Sequence, residues 1–347
     1  MINDHGVYTV APQDDTSNKL EDLGCIFIDL KIDNMGLNPL ADFQLKNRLF
    51  NIYDRIDPDL IIHYTIKPVI YGSMAAAKLG IPFINNITGL GTAFIKRNWV
   101  TLFVKLLYRF SQKKADHVFF QNSDDKELFE REKLIPKNVP LEVVPGTGVD
   151  IDHFNIHPYP ENNPVTFILI ARMLWDKGIG EFVDAARQVR LEFSDVRFQL
   201  LGLLDVLNRT AISRQQIQIW IKQGIIDYLG ETDDVREYIG NSSCVVLPSY
   251  REGLPRALLE AASMGRPIIA SDVTGCREIV EHSVNGYLCK VRNANDLAQK
   301  MKDMVELSID DRRDMGLRGR KKMGFFFDEK VIVEKIINRI ENVLNVA

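Results

Sequence analysis

The sequence predicts an α/β protein made of two doubly wound parallel-sheet domains that face each other across a central cleft. Three observations carry this. Short apolar runs alternate with longer segments of helical period along most of the chain, the pattern of strands joined by crossover helices and covered on both faces. A Gly- and Pro-rich stretch near the middle, Gly146-Thr147-Gly148 followed by Pro158, Pro160 and Pro164 around Asn162-Asn163, interrupts that rhythm. The length, 347 residues, suits two or three domains, and 46% hydrophobic with 26% charged residues suits chains with real cores.

In the first half, strands are expected at Val7–Ala11, Cys25–Leu30, Leu60–Tyr64, Phe83–Ile87, Val118–Gln121 and Leu141–Val144. Helices are expected between them at Asp14–Leu23, Ala41–Ile56, Lys67–Leu79, Trp99–Lys114 and Ser123–Leu134. The second half repeats the alternation, with strands at Phe167–Ala171, Val196–Leu201, Asp227–Leu229, Cys244–Leu247 and Ile268–Ser271. Its helices are expected at Ile179–Glu192, Ser213–Gln223, Asp234–Ile239, Pro255–Met264 and Asn295–Glu306. A last amphipathic helix, Glu329–Val343, carries Val331, Ile332, Ile336, Ile337, Ile340 and Val343 at helical spacing and is expected to do plain packing. The division that follows is an N-terminal domain over 1–146, a linker over 147–164, a C-terminal domain over 165–325 and a helical tail over 326–347.

Charge and cysteine usage exclude several classes. A net charge of −4 speaks against a general nucleic-acid binder. Cys25, Cys244, Cys276 and Cys289 are scattered with no CxxC pair, so a zinc site is not expected and reduced cytoplasmic thiols are the default. No apolar run is long enough for a spanning helix. The polar start, Met1-Ile2-Asn3-Asp4-His5, does not read as a secretory signal.

The stretch from Pro248 to Glu260 organises the chemistry. The strand Cys244–Leu247 ends at Pro248, a turn with Gly253 follows, and Pro255 suits the first turn of the next helix. Glu252 then sits on a loop at the carboxyl end of a strand, where open α/β sheets bind ligands, and Glu260 lies about two helical turns on. The amides of 253 to 256 would point out of a helix N-terminus, a ready place for phosphate. Equally, this is a capped helix with a solvated glutamate at each end. Arg172 ends another strand, and Lys177-Gly178 opens the helix after it. Two cations beside a helix N-terminus can hold a diphosphate, although alone they read as exposed basic residues. Gly148, before Val149-Asp150, allows close approach of backbone to a phosphate. Gly202 and Gly230-Glu231-Thr232 also follow strands.

These residues together resemble the retaining glycosyltransferases of family 4, whose GT-B fold is two Rossmann-like domains around a cleft. The matching pieces are Glu-x7-Glu (Glu252 to Glu260), Arg-x4-Lys-Gly (Arg172 to Gly178), Gly148-Val149-Asp150, and Gly275-Cys276-Arg277-Glu278-Ile279-Val280 followed by Asn285-Gly286. They cover most of 140–300. More narrowly, His63-Tyr64-Thr65-Ile66-Lys67-Pro68, Gly72 and Asn85-Asn86-Ile87-Thr88-Gly89-Leu90-Gly91 are similar to bacterial enzymes that extend lipid-linked oligosaccharides for O-antigen and capsule.

The resemblance implies roles. Arg172 and Lys177 would hold the donor diphosphate, and Glu252 would touch the donor sugar. Amides near Gly253 and Leu254 would add donors, with Gly148 and Gly230 lining the nucleotide, and Glu260 would accept from the ribose hydroxyls. The donor would be a nucleotide-sugar, uridine diphosphate being the commoner carrier and N-acetylhexosamine one such sugar. Transfer would retain configuration, with no cofactor and no metal. Asp150-Ile151-Asp152 then belongs to the hinge. Two departures from the family stand out. No histidine occurs in Ile87-Thr88-Gly89-Leu90-Gly91, so no general base is assigned there. The strand-helix unit that the family places before Val7–Ala11 is expected to be missing, leaving the N-terminal sheet short of an interior strand.

One segment bears on location. Phe94–Ala115 holds Lys96, Arg97, Lys105, Arg109, Lys113 and Lys114 with Trp99, Leu102, Phe103, Leu106, Leu107 and Phe110. It reads as a core-facing helix with a solvated basic face, or as a basic amphipathic helix on an anionic membrane, at about 1 kcal/mol per basic residue. The lipid-acceptor resemblance favours the membrane, and so a cytoplasmic protein peripheral to the inner face. The rivals are a glycoside hydrolase, in which Arg172 and Lys177 would have no role, a nucleotide-sugar epimerase or dehydrogenase, for which Gly89-Leu90-Gly91 is only half a fingerprint, and a truncated, catalytically impaired nucleotide-sugar-binding protein.

Overall fold

The computed structural model describes residues 5–14, 16–32, 39–88, 99–161, 164–206 and 208–346. The N-terminal half contains β1 (Tyr8–Ala11), α1 (Ser17–Asp22), β2 (Ile26–Asp29), α2 (Pro39–Ile56), β3 (Ile61–Tyr64), α3 (Ser73–Leu79), β4 (Phe83–Ile87), α4 (Trp99–Ser111), β5 (His117–Phe120), α5 (Ser123–Arg131) and β6 (Leu141–Val143). Then follow β7 (Val165–Ile170), α6 (Ile179–Arg190), β8 (Val196–Leu201), α7 (Arg214–Lys222), β9 (Asp227–Tyr228), α8 (Arg236–Gly240) and β10 (Cys244–Leu247). The chain closes with α9 (Arg256–Ser263), β11 (Ile268–Ser271), α10 (Thr274–Ile279), β12 (Gly286–Cys289), α11 (Ala294–Glu306), α12 (Ile309–Phe326) and α13 (Glu329–Val346).

Every strand pairing is parallel, as the strand–helix alternation requires. The C-terminal sheet runs β12-β11-β10-β7-β8-β9. Chain order reverses between β7 and β10, so the loops after these two strands flank a topological switch point. The sheet packs aromatic side chains at its centre. Phe167 and Phe198, register partners on β7 and β8, stack at 5.6 Å, and Phe182 of α6 meets Phe198 edge-on at 6.0 Å.

The N-terminal layer is in two pieces. β3-β4-β5-β6 form one sheet, while β1 and β2 pair only with each other among the described strands. No residue of β1 or β2 is fully buried, and Tyr8 and Ile26 are exposed.

Two chain crossings join the halves. The Val149 amide donates to the Phe327 carbonyl at 2.8 Å, and the Glu329 amide donates back to Val149 at 3.1 Å. Past this crossing, α13 lays Ile332, Ile336, Ile340 and Val343 on Ile84, Phe119 and Val144 of the N-terminal layer. The tail therefore does the packing expected of it, on the other half of the molecule. Buried Arg266 and half-buried Arg320 fix the linker. Arg266 donates to the carbonyls of His157, Pro158, Ile239, Gly240 and Met264, and Arg320 to those of Ile151, Phe154 and Ser263.

Three elements have no counterpart in the sequence reading: α10, β12 and α12. α12 has a weak apolar stripe with Gly316 and Gly319 inside it; a Cβ at Gly316 would meet the Gly265 carbonyl oxygen at 2.0 Å, so close packing on α9 hides the helical signal. The segment expected to be helical from Lys67 opens as a π-helical turn over Pro68–Gly72.

Candidate active site

The loops after β7 and β10 touch at the switch point. Gly178 has φ +74°, and a Cβ there would stand 2.1 Å from the Pro248 carbonyl oxygen, so glycine is needed to bring the loops together. A backbone bond from the Tyr250 amide to the Asp176 carbonyl, 2.9 Å, holds the contact. Lys177 Nζ consequently reaches Glu252 Oε1 at 2.5 Å, with side-chain exposures of 24% and 10%. Arg172 leaves the end of β7 on the same rim, exposed, and its guanidinium makes no hydrogen bond or ion pair to the described residues. The three residues singled out for the chemistry thus lie on two adjacent loops.

Helix α9 begins at Arg256, with Pro255 as its N-cap residue and no side-chain cap. This corrects the expectation of a helix starting at Pro255, and of a donor at each position from 253 to 256, since proline has no N–H. Among the described residues, the first-turn amides left without an intrahelical acceptor belong to Arg256 and Ala257, with those of Gly253 and Leu254 on the loop before the cap. One turn on, Glu260 faces a cleft of about 500 Å³ that also includes Gly148, Asp150, His153, Asp234 and Glu329. Burial pushes the Glu260 carboxyl above its ordinary range, and Arg256, 3.4 Å away, opposes that shift. Arg256 was not singled out in the sequence, although its i,i+4 spacing to Glu260 is the signal that finds it.

Gly148 lines the cleft, but its missing side chain is explained by the fold. A Cβ would come 2.6 Å from the Phe327 carbonyl oxygen at the chain crossing. Gly230 follows β9, and its carbonyl accepts from the Gly202 amide at 2.7 Å. Asp150 is engaged at its own turn, accepting from the amides of Asp152 and His153 at 2.9 Å each, and Asp152 pairs with Lys330 at 2.6 Å. These bonds engage both carboxylates within the linker and against the start of α13.

Across the cleft, three pieces of the N-terminal motif meet in one buried network. His63 Nδ1–H faces Asn85 Oδ1 at 2.9 Å, Tyr53 OH faces His63 Nε2 at 3.1 Å, and Asn85 Nδ2 donates to Gln112 Oε1 at 2.6 Å. A Cβ at Gly72 would collide with the imidazole. Burial holds the His63 pKa down at about 4. This histidine is a neutral structural residue beneath the cleft wall, so it does not supply a base at the surface. The Thr88 carbonyl approaches to 3.0 Å of where a Gly253 Cβ would be, while Gly89, Leu90 and Gly91 lie outside the described residues.

Helix α4 departs from the reading of a core-facing helix with only its basic face in solvent. Val104 and Tyr108 face the core, whereas Leu102, Phe103, Leu106 and Phe110 are exposed, Leu102 and Phe110 by more than 60%. Its basic groups are mostly engaged locally: Lys105 pairs with Glu132 at 3.1 Å, Arg109 donates to the Glu132 carbonyl at 2.7 Å, and Lys113 lies over Phe110. The outer face is apolar with a basic border. Phe94, Lys96 and Arg97 lie outside the described residues. No helix among the described residues is long and apolar enough to cross a membrane.

Comparison with known proteins gives a consistent picture. Residues 152–322 match the family model of glycosyl transferases group 1, and residues 3–122 match glycosyl transferase 4-like. The chain is 28% identical over 356 residues to the N,N'-diacetylbacillosaminyl-diphospho-undecaprenol alpha-1,3-N-acetylgalactosaminyltransferase of Campylobacter jejuni, covering 97% of this chain and 91% of that protein. It is 25% identical to the UDP-Gal:alpha-D-GlcNAc-diphosphoundecaprenol alpha-1,3-galactosyltransferase of Escherichia coli, over 79% of this chain and 73% of the other. Among solved structures, Anabaena HepE in complex with UDP superposes with a TM-score of 0.79 at 16% identity, over 97% of this chain and all (100%) of that one. A glycosyltransferase from Rickettsia africae does so at 0.79 and 19%, over 100% of this chain and 92% of its own. At these identities the structures speak to the fold alone, which is GT-B.

Proposed function

We propose that the chain, which belongs to the glycosyltransferases built from a 4-like N-terminal domain and a group 1 C-terminal domain, moves a sugar from a uridine diphosphate donor to a saccharide carried on a polyprenyl diphosphate, with retention at the anomeric carbon. The observation that carries the donor half is the contact of Lys177 with Glu252 at the switch point, with Arg172 on the same loop as Lys177. The bond that breaks joins the anomeric carbon to a phosphate oxygen, and charge grows on the leaving diphosphate. Arg172, free on the rim, and Lys177, displaced from Glu252 by the incoming phosphates, offset that charge, with the amides of Gly253 and Leu254 adding donors. Glu252, released from Lys177, is then free to accept from a hydroxyl of the donor sugar. Glu260 takes the ribose hydroxyls inside the cleft it shares with Gly148 and Asp234.

The acceptor half of the proposal rests on the two lipid-diphosphate enzymes among the relatives and on helix α4. Its exposed Leu102, Phe103, Leu106 and Phe110, bordered by Lys105, Arg109 and Lys113, suit a helix lying in an anionic membrane surface. Such docking would bring the N-terminal side of the cleft to the cytoplasmic face, where a polyprenyl diphosphate presents its sugars. Because Arg172, Lys177 and the helix start supply the positive field, the reaction is proposed to run without a metal. A screen of UDP-sugars against undecaprenyl-diphosphate saccharides, with and without chelator, tests the reading. Turnover that survives chelator supports it. Abolition by chelator with rescue by magnesium or manganese would move the diphosphate onto a metal site.

A further inference from the structure

We infer that Asp124, Arg277 and Glu278 are positioning residues that clasp the two domains across the cleft and so fix the donor loop against the acceptor side. This rests on the transferase reading above. The clasp is reciprocal between two pairs of adjacent residues about 150 positions apart. Asp124, in the first turn of α5, takes Thr274 Oγ1 at 2.6 Å and Arg277 Nη2 at 2.8 Å through one carboxylate oxygen, Oδ2. In return Glu278 accepts from the Ser123 amide at 3.3 Å. That amide is one of the unpaired donors at the start of α5, where the helix field favours an anion. Arg251, next to Glu252, extends the same seam toward Asp125 at 4.0 Å.

The clasp is anchored in the site on its other side. The Gly275 amide donates to the Glu252 carbonyl at 3.3 Å, and a Cβ at Gly275 would lie 2.1 Å from the Gly253 carbonyl oxygen. Helix α10 is therefore packed directly on the loop that carries Glu252 and Gly253. Whatever α5 does to α10 is delivered to that loop without an intermediate. The same closure sets the Thr88 carbonyl against Gly253.

The chemistry of the clasp suits a contact that breaks and reforms. Asp124 and Arg277 are each about half exposed, at 50% and 46%, so their pairing is screened and salt-sensitive. Arg277 keeps a second carboxylate, Asp272 at 3.0 Å, so it stays solvated and paired when the domains part. The crossing at Val149 and Glu329 is the pivot left to the chain, and rotation about such a point is the usual form of domain closure.

The test is a double-mutant cycle on the full chain with Asp124→Asn and Arg277→Gln, read in three ways. UDP binding by calorimetry should stay within about twofold of the parent in every variant, because the donor groups are untouched. The kcat/KM for the lipid-linked acceptor should fall roughly tenfold in each single variant and no further in the double, the mark of two residues acting through each other. Small-angle scattering should show a larger radius of gyration in the variants, and in the parent at 0.5 M salt but not at 0.05 M. Additive losses, or scattering and kcat/KM equal to the parent in both single variants, would overturn the clasp. If the parent binds no UDP, the donor reading fails, while the scattering comparison still decides the clasp.

Discussion

Lys177 Nζ sits 2.5 Å from Glu252 Oε1, joining the loops of two strands that are neighbours in the sheet and whose side chains are 75 residues apart in the chain. The pairing places a cation and a carboxylate at the switch point while Arg172 stays free beside them. On the proposed reading, Glu252 holds Lys177 in place until the diphosphate of the donor displaces it.

The first prediction separates the two cations. Arg172→Ala removes a charge-assisted contact without leaving a partner stranded, so UDP affinity should fall by about 1.5–3 kcal/mol, or roughly 10- to 150-fold. Lys177→Ala also strands Glu252, so Tm should fall together with affinity. Titration calorimetry and thermal melting read both. An Arg172→Ala protein with parental UDP affinity would remove the diphosphate from this rim.

Glu260 carries a second prediction. Its carboxyl is raised by burial, so its ionisation costs stability, a cost that grows as the pH rises from the unfolded pKa and is complete above the folded one. Glu260→Gln removes that cost and should raise Tm at pH 7 while lowering it or leaving it level near pH 4. The same change should weaken UDP binding if the ribose contact is made here. A variant that binds UDP normally would place the ribose elsewhere.

Besides His117, which burial also depresses to about 4, acid sensitivity should come from His63. Its folded pKa is depressed, from 6.5 to about 4, so the neutral form belongs to the folded state. Stability from this group is fully present above pH 6.5 and is lost as the pH falls toward 4, by on the order of 3 kcal/mol for the full shift. Urea melts of the parent across pH 4 to 7 should show this slope, and His63→Gln should flatten it. An unchanged slope would mean that other groups set the acid limit.

Protection from hydrogen exchange should be uneven. β1 and β2 pair only with each other among the described strands and bury no residue fully, whereas β10 and β11 are buried throughout and sit inside a six-stranded sheet. Amides of 8–29 should exchange orders of magnitude faster than those of 244–271. Equal protection would show that β1 and β2 are covered in a way the fold does not display.

Much of this was legible in the sequence because the relevant residues are local in the chain. Strands such as Val196–Leu201 and Cys244–Leu247 have the expected limits, and Arg172, Lys177 and Glu252 fall on the loops after strands, with Glu260 inside the next helix, all of which periodicity can locate. What could not be read depends on contacts between distant segments. Gly148 looks like a phosphate-turn glycine, yet its close neighbour is Phe327. Asp124 and Arg277 look like surface charges until two domains bring them together. Helix α4 shows its amphipathic pattern plainly, but only packing reveals that Val104 and Tyr108 take the core and leave four large apolar side chains outside.

The central claim is sugar transfer with retention from a UDP-sugar to a lipid diphosphate saccharide, and its most direct measurement is the product itself. The full chain, incubated with a UDP-sugar and an undecaprenyl-diphosphate saccharide in vesicles, should release UDP in equal amount to a lengthened lipid-linked glycan whose new anomeric coupling constant by NMR matches that of the donor. Free sugar released without extension, or an inverted linkage, would contradict the account.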